Sequence, residues 1–102
     1  MIMANNFTGP LIYLDTFTSA IDLRVAMGFA NGQQIYVKSI EWQDPVNTSH
    51  TALITTSAGG SVIFSHTATV VNQPIKDYIY DWIDNIYIAI NGVGSGAIKV
   101  QI

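Results

Sequence analysis

The sequence contains no cysteine. This absence excludes disulfides, thiolate nucleophiles, CxxC redox sites and zinc fingers, because each of them requires the cysteine sulfur. The fold must therefore be held by packing and hydrogen bonds, and 49% apolar residues are ample for a core in a chain of 102 residues. A chain of this length is expected to form one domain rather than two.

Charged side chains are also scarce. The 4 basic and 7 acidic residues make up 11% of the chain, against about 25% in an average soluble domain. A net charge of −3 without a basic stripe argues against a nucleic-acid partner, because such binding requires cations that displace counterions from phosphates. The surface must instead be built largely from 9 Thr, 7 Ser, 7 Asn and 5 Gln.

Long apolar runs are missing. The densest one covers residues 86–90, far short of the roughly 18 residues that cross a bilayer. Residues 1–6 carry no Lys or Arg and lead into no apolar stretch typical of a secretory signal peptide. The sequence therefore predicts a soluble chain that has no membrane partner and is not secreted through a signal peptide.

Short runs rich in Ile, Val, Tyr, Phe and Thr are abundant, and clusters of Gly, Asn, Asp, Ser or Pro separate them. This pattern is typical of strands and turns. Eight strands are predicted, at residues 11–14, 20–27, 34–42, 52–56, 62–68, 70–73, 86–90 and 97–102. They predict an all-β fold, a single-domain antiparallel β-sandwich over residues 11–102 with jelly-roll or Greek-key connections.

Alternation shows which faces of these strands are buried. At the C-terminal end Ile98, Val100 and Ile102 share one face, and Lys99 and Gln101 share the other. Residues 21–25 alternate in the same way. Two sheets with one apolar face each can bury those faces against one another.

Residues 74–85 fit two structures. Their isoleucines recur at helical spacing, which would place Asp77, Asp81 and Asp84 together on one helix face. Tyr and Ile are mediocre helix formers, so a strand followed by a turn is the alternative. On a helix the three carboxylates would form either a weak site for a hard cation or simply a solvated acidic face.

Catalytic motifs are lacking. The glycine-rich residues 92–96 precede a strand rather than the helix that a nucleotide-binding loop requires. No spacing links His50 or His66 to a particular Ser or Asp. The sequence therefore predicts a protein that is not an enzyme, with no catalytic residue, no cofactor and no bound metal.

Two features point to partner contacts. Residues 1–10 contain two Asn, a Gly and a Pro without alternation, which predicts an N-terminal arm outside the sandwich. We expect Ile2, Met3 and Phe7 of this arm to lie along a neighbouring molecule. Trp42 and Trp82 are the other candidate partner contacts, since tryptophan is enriched at interfaces. Exposed Trp and Tyr side chains would alternatively serve a carbohydrate-binding or tail-adhesion module.

Two segments resemble blocks found in small β-sandwich virion proteins of tailed bacteriophages. One runs from Val37-Lys38-Ser39-Ile40-Glu41-Trp42 through the polar loop at residues 44–50 to a hairpin around Gly59-Gly60. The other closes the chain, with a small-residue turn ending in Ser95-Gly96 before a final alternating strand. In the first segment Ser57-Ala58 replaces the Asp that commonly precedes the glycine of the hairpin.

The resemblance covers residues 35–102, about two thirds of the chain. It implies a capsid decoration (cement) protein on the outer surface of the virion, made in the host cytoplasm. The implied partners are the major capsid protein and further copies of the chain itself, in a homo-oligomer for which a trimer is one candidate. Such a protein folds in a reducing cytoplasm, which agrees with the lack of cysteine.

Overall fold

A computed structural model describes residues 5–7, 10–30 and 32–102. Within these residues the chain forms eight strands and one short helix. In chain order they are β1 Leu11–Leu14, β2 Ile21–Asp22, α1 Leu23–Met27, β3 Ile35–Gln43, β4 Thr51–Thr55, β5 Val62–Thr67, β6 Ile75–Ile83, β7 Tyr87–Ile88 and β8 Ala97–Gln101. No helix of the described part has the length and apolar character needed to span a membrane.

The strands form two antiparallel sheets of four. One has the order β1-β8-β3-β6 and the other the order β2-β7-β4-β5. Successive strands cross from one sheet to the other, except for β4 and β5, which form a hairpin. This order is that of an eight-stranded jelly roll. The predicted all-β sandwich is therefore confirmed, and of the two connection schemes the chain has the jelly roll.

The core lies between the sheets. Its largest fully buried side chains are Trp42 and Phe64, and isoleucine, leucine and valine supply the other large ones. Ile98 and Val100 are buried while Gln101 is exposed, as the alternation of the last strand predicts. Residues facing inward from both sheets thus close a single core.

The predicted strand at residues 20–27 is wrong beyond Asp22, because α1 begins at Leu23. The Asp22 carboxylate accepts the N–H of Val25 as an N-cap, and Gly28 ends the helix in the left-handed conformation at φ 72°. The buried side chain of Asn85 also holds the helix start, accepting the N–H of Arg24 and donating to Asp22. These capping interactions outweigh the apparent alternation, and Val25 is left 76% exposed.

The predicted strand at residues 70–73 is also wrong, since this segment is a turn. Asn72 adopts φ 57°, which ends extended structure, and its N–H donates to the carbonyl of Pro45. Residues 74–85 follow the strand alternative rather than the helix, because β6 covers Ile75–Ile83. Pairing with β3 along nearly its whole length provides the hydrogen bonds of β6.

Strand β6 contains a bulge. Its register with β3 shifts so that Lys38 lies opposite two residues, Ile79 and Tyr80. Tyr80 has a φ of 49°, a left-handed conformation that is uncommon for a bulky side chain. The bulge bends an edge strand whose other side is unpaired in the described structure.

Residues 5–7 differ from the predicted N-terminal arm, because they lie against their own sandwich. The Asn5 side chain accepts the N–H groups of Asp15 and Thr16 at 2.9 and 3.0 Å and donates to the Thr16 carbonyl at 3.0 Å. Asn6 pairs with Tyr13 of β1, and Phe7 packs against the core. The first part of the predicted arm, residues 1–4, lies outside the described residues.

Replacing Asn5 with Ala tests this attachment. We expect Asn5→Ala to lower the free energy of unfolding by about 1–3 kcal/mol, because two backbone donors and one carbonyl lose a partly buried partner. Denaturant titration of the isolated chain measures the change. Asn47→Ala is the matched control, since the side chain of Asn47 accepts hydrogen bonds from Ser49 in an exposed loop; its removal should cost about 0.5 kcal/mol or less. Equal effects of the two changes would contradict the role given to Asn5.

Candidate functional site

The two ends of the sandwich differ in character. At one end the connections β1–β2, β3–β4, β5–β6 and β7–β8 meet, and we call it the loop end. Hydrogen bonds join these four connections in pairs, β5–β6 to β3–β4 from Asn72 to Pro45 and β7–β8 to β1–β2 from Asn91 to Phe17. A further bond runs from Gly94 to Thr51 at the start of β4. The opposite end carries the β4–β5 hairpin together with the segments that follow α1 and β6, and we call it the hairpin end.

A hydrogen-bonded corner around the buried Trp42 organises the loop end. The indole N–H of Trp42 donates to the carbonyl of Ser95 at 2.7 Å. The Ser95 hydroxyl oxygen accepts the N–H of Val46 at 2.9 Å and lies 2.7 Å from Nδ1 of His50. The β3–β4 loop is thereby fixed to the turn that precedes β8.

This corner requires a glycine at position 96. Gly96 has φ 76°, and a Cβ at this position would lie 2.0 Å from the carbonyl oxygen of Gln43. Both the backbone conformation and the space therefore exclude a side chain. The small-residue turn noted in the sequence thus lets two backbones approach closely.

Three exposed valines lie on two adjoining loops of the loop end, and we call them the valine patch. Val46 is 62%, Val70 53% and Val71 45% exposed. Their two loops are joined by the hydrogen bond from Asn72 to Pro45. Apart from Asp44, residues 44–50 and 68–74 carry no Asp, Glu, Lys or Arg. A partner that leaves Asp44 in water can therefore cover the patch without the cost of burying an unpaired charge.

A line of aromatic side chains runs along the outer face of β6. Tyr78, Tyr80 and Trp82 are each about 60% exposed or more. The Tyr78 and Tyr80 rings stack with centroids 6.1 Å apart, and the Nζ of Lys76 lies 5.1 Å from the Tyr78 ring. This stripe ends at the hairpin end, where Trp82 lines a hollow of about 540 Å³ together with Gly32, Gln33, Gln34 and Asp84.

The second histidine joins the two sheets. Nε2 of His66 on β5 lies 2.9 Å from the Asp77 carboxylate on β6. Both strands are edge strands on the same side of the sandwich. The His66 ring also packs edge-on against the buried Phe64, with centroids 4.6 Å apart. We interpret this hydrogen bond as a link that holds the edges of the two sheets together.

The three aspartates that a helix would have gathered do not meet. Asp77 bonds to His66, Asp81 accepts the N–H of Trp82, and Asp84 accepts a hydrogen bond from Gln34. Among the described residues no group of three metal-ligating side chains comes together. The cation site considered from the sequence therefore has no structural basis in strand β6.

The predicted partner contacts have different positions. Ile2 and Met3 lie outside the described residues. Phe7 packs on its own core and lines a hollow of about 390 Å³ beside α1. Trp42 is fully buried, so its prediction as a surface contact is wrong for this fold, because the ring fills the core and its N–H is used by Ser95. Trp82 is 59% exposed and available to a partner.

Sequence reasoning missed the valine patch and the polar side of the Trp82 hollow. Val70 and Val71 are β-branched, which favoured a strand, although the following Asn-Gln-Pro is a turn signal. Gln33, Gln34 and Asp84 come together only through the pairing of β3 with β6. No local sequence pattern indicates that residues so far apart in the chain lie next to each other.

Gly96→Ala tests the close approach at the corner. A left-handed alanine costs about 1–2 kcal/mol, and we expect overpacking against Gln43 to add about 1–3 kcal/mol. Gly59→Ala is the matched control, because Gly59 has φ 74° but nothing lies within 4 Å of its missing Cβ. Thermal and denaturant unfolding measure both variants. A Gly96 variant no less stable than the Gly59 variant would contradict the packing described here.

Comparisons of the chain with protein-family models, with curated proteins and with solved structures find no match.

Proposed function

We propose that the chain is a non-enzymatic structural protein of a tailed-phage virion, a decoration (cement) protein on the outer surface of the capsid. In this role it binds the lattice of the major capsid protein and holds neighbouring capsomers together. The observation that carries the proposal is the valine patch on the loop end. Nucleic acid and membrane have no place among the proposed partners.

The valine patch has the physical character of an attachment surface. Burying exposed valine gains roughly 25 cal/mol for each Å² of apolar surface removed from water. Val46, Val70 and Val71 stand on loops that are fixed by hydrogen bonds to each other and to the Trp42 corner. Pre-ordered loops lose little conformational entropy on binding, so more of the gain remains as affinity.

The resemblance to phage virion proteins supports the choice of partner. The two segments that carry it pack against each other in the fold. Leu53 donates its N–H to the carbonyl of Gly92, and Gly94 donates to the carbonyl of Thr51. Trp42 and Ser95 add a third link between the segments. A shared structural corner is what two motifs of a single family would be expected to form.

The fold and the histidines agree with a structural role. Jelly rolls occur in viral capsid proteins, and also in lectins and cupins, so the fold alone does not select a function. The Ser95 hydroxyl faces His50, but its oxygen is already used by the N–H of Val46. Within the described residues no carboxylate bonds to His50, so the pair anchors a loop and lacks the third member of a triad.

Self-association is the second part of the proposal. We expect the purified chain to have a mass in solution that is a multiple of its 11.1 kDa, with a trimer as the candidate. Closed symmetric assemblies are the usual form of homo-oligomers. Sedimentation equilibrium measures the mass, and a monomer at all concentrations would contradict this part while leaving attachment to be tested separately.

Charging the valine patch tests attachment. We expect the double variant Val46→Glu, Val70→Glu to bind capsids at least about tenfold more weakly, because two charges would be buried without partners. Capsids of the encoding phage, prepared without the chain, are mixed with the variant and sedimented. Val62→Glu is the matched control, since Val62 is 61% exposed but lies next to the β4–β5 hairpin at the other end. Its binding should match that of the unmodified chain.

Imaging of purified virions tests where the chain lies on the particle. We expect density for the chain on the outer capsid surface, with the loop end towards the shell. Absence from the shell, or presence in the tail alone, would overturn the decoration role. Equal capsid binding by the patch variant and the Val62 control would overturn the assignment of the loop end.

A further inference from the structure

The Trp82 hollow at the hairpin end has the features of a small-molecule site. It has a volume of about 540 Å³ and is lined by one aromatic ring, two amides, one carboxylate and a glycine. The hollow is shallow and open to solvent, but it shares with ligand sites the combination of an apolar wall and a few polar groups that can orient a bound molecule. The hollow lies at the end opposite the valine patch.

The aromatic wall is held in place before any ligand arrives. The Trp82 ring contacts Tyr36 edge-to-face, with centroids 5.3 Å apart and planes at 69°. The Asp81 carboxylate accepts the Trp82 N–H at 2.8 Å, which fixes the backbone. The side chain is nevertheless 59% exposed. A rigid, exposed indole gives a flat apolar surface that a ligand can cover at low entropic cost.

The polar side chains that line the hollow also have hydrogen-bond partners. Gln34 donates its amide N–H to one oxygen of Asp84 at 3.0 Å, and Gln33 accepts the N–H of Ala30 at 3.1 Å. Arg24 donates to the backbone carbonyl of Asp84. The described residues provide no partner for the second Asp84 oxygen, the Gln34 amide oxygen or the Gln33 amide N–H groups. The hollow therefore offers two acceptors and a donor beside the indole.

This combination matches the chemistry of a sugar ring. A pyranose has an apolar face of C–H groups that can stack on an indole, and hydroxyl groups at its edge that both donate and accept hydrogen bonds. Within the described lining there is no cationic side chain, and the nearby Arg24 guanidinium is engaged with the Asp84 carbonyl. The lining therefore offers a carboxylate and amides rather than a positive charge for a phosphate or an acidic sugar. A cage for a quaternary ammonium would need several aromatic walls, and Trp82 is the one aromatic side chain of the described lining.

We propose that the Trp82 hollow binds a neutral pyranose unit of a glycan. Trp82 stacks on the C–H face, and Gln33, Gln34 and Asp84 bind the hydroxyls. The inference goes beyond the proposed capsid attachment and does not depend on it. A chain attached through the valine patch keeps this hollow at the distal end, where a glycan can reach it.

A glycan array with neutral, acidic and amino sugars tests the proposal. The full-length chain is presented on a multivalent scaffold, because linked copies raise the avidity of weak single contacts. We expect binding to neutral glycans that falls at least about tenfold in Trp82→Ala and in Asp84→Asn, as expected when stacking or a charged hydrogen bond is lost. Tyr78→Ala is the matched control, since Tyr78 is exposed on the same strand but does not line the hollow; its binding should be unchanged.

A second variant separates loss of binding from loss of folding. Trp82→Tyr keeps an aromatic face and should retain more affinity than Trp82→Ala, while thermal unfolding shows whether each variant is folded. No glycan signal from the unmodified chain, a preference for acidic or amino sugars, or undiminished binding by folded Trp82→Ala would each overturn the proposal. Capsid sedimentation of Trp82→Ala reports on attachment independently, so failure of one proposal is distinguishable from failure of the other.

Discussion

The hydrogen bond from the Trp42 indole to the Ser95 carbonyl sets the arrangement of the whole loop end. A fully buried indole needs an acceptor, because an unpaired N–H in the core would cost free energy. For Ser95 to supply that acceptor, the backbone before β8 must lie close to the end of β3. A side chain at position 96 would prevent this close approach. Ser95 also accepts the N–H of Val46 and contacts His50. The loop that carries Val46 of the valine patch is thus connected to the core through Ser95 and Trp42.

A chain with so few charges must hold itself together by other means. Buried or partly buried asparagines take that place here: Asn85 fixes the start of α1, and Asn5 holds the segment before β1. An amide both donates and accepts, so one side chain can satisfy several backbone groups at once. Within the described residues the one contact between a histidine and a carboxylate, from His66 to Asp77, lies where the two sheets meet at their edges. Outside its few charged residues, the surface presents neutral groups, which a partner can cover without burying an unpaired charge.

The parts of this fold that depend on neighbours in sequence could be predicted, and those that depend on distant contacts could not. Alternation identified β8 and its buried face, because alternating apolar and polar residues show which side of a half-buried strand faces the core. Strand β6 was ambiguous because its isoleucines at 75, 79 and 83 are four residues apart, a spacing that suits both a helix and alternate inward positions of a strand. The helix at Leu23 depends on Asn85, and the burial of Trp42 depends on Ser95. Of the candidate contacts that lie among the described residues, Trp82 is exposed on the surface while Trp42 is buried and Phe7 packs against the core; the polar neighbours of Trp82 required the pairing of β3 with β6.

The bulge at Tyr80 has a consequence for how copies of this chain can crowd together. A nine-residue edge strand is a template on which another strand could add, and repeated addition leads to aggregation. In β6 the left-handed Tyr80 bends that template, and the inward-facing Asp77, already bonded to His66, would meet any incoming strand with a carboxylate. Copies of the chain that come close together are therefore hindered from pairing along this sheet edge, which opposes fibre growth through β6.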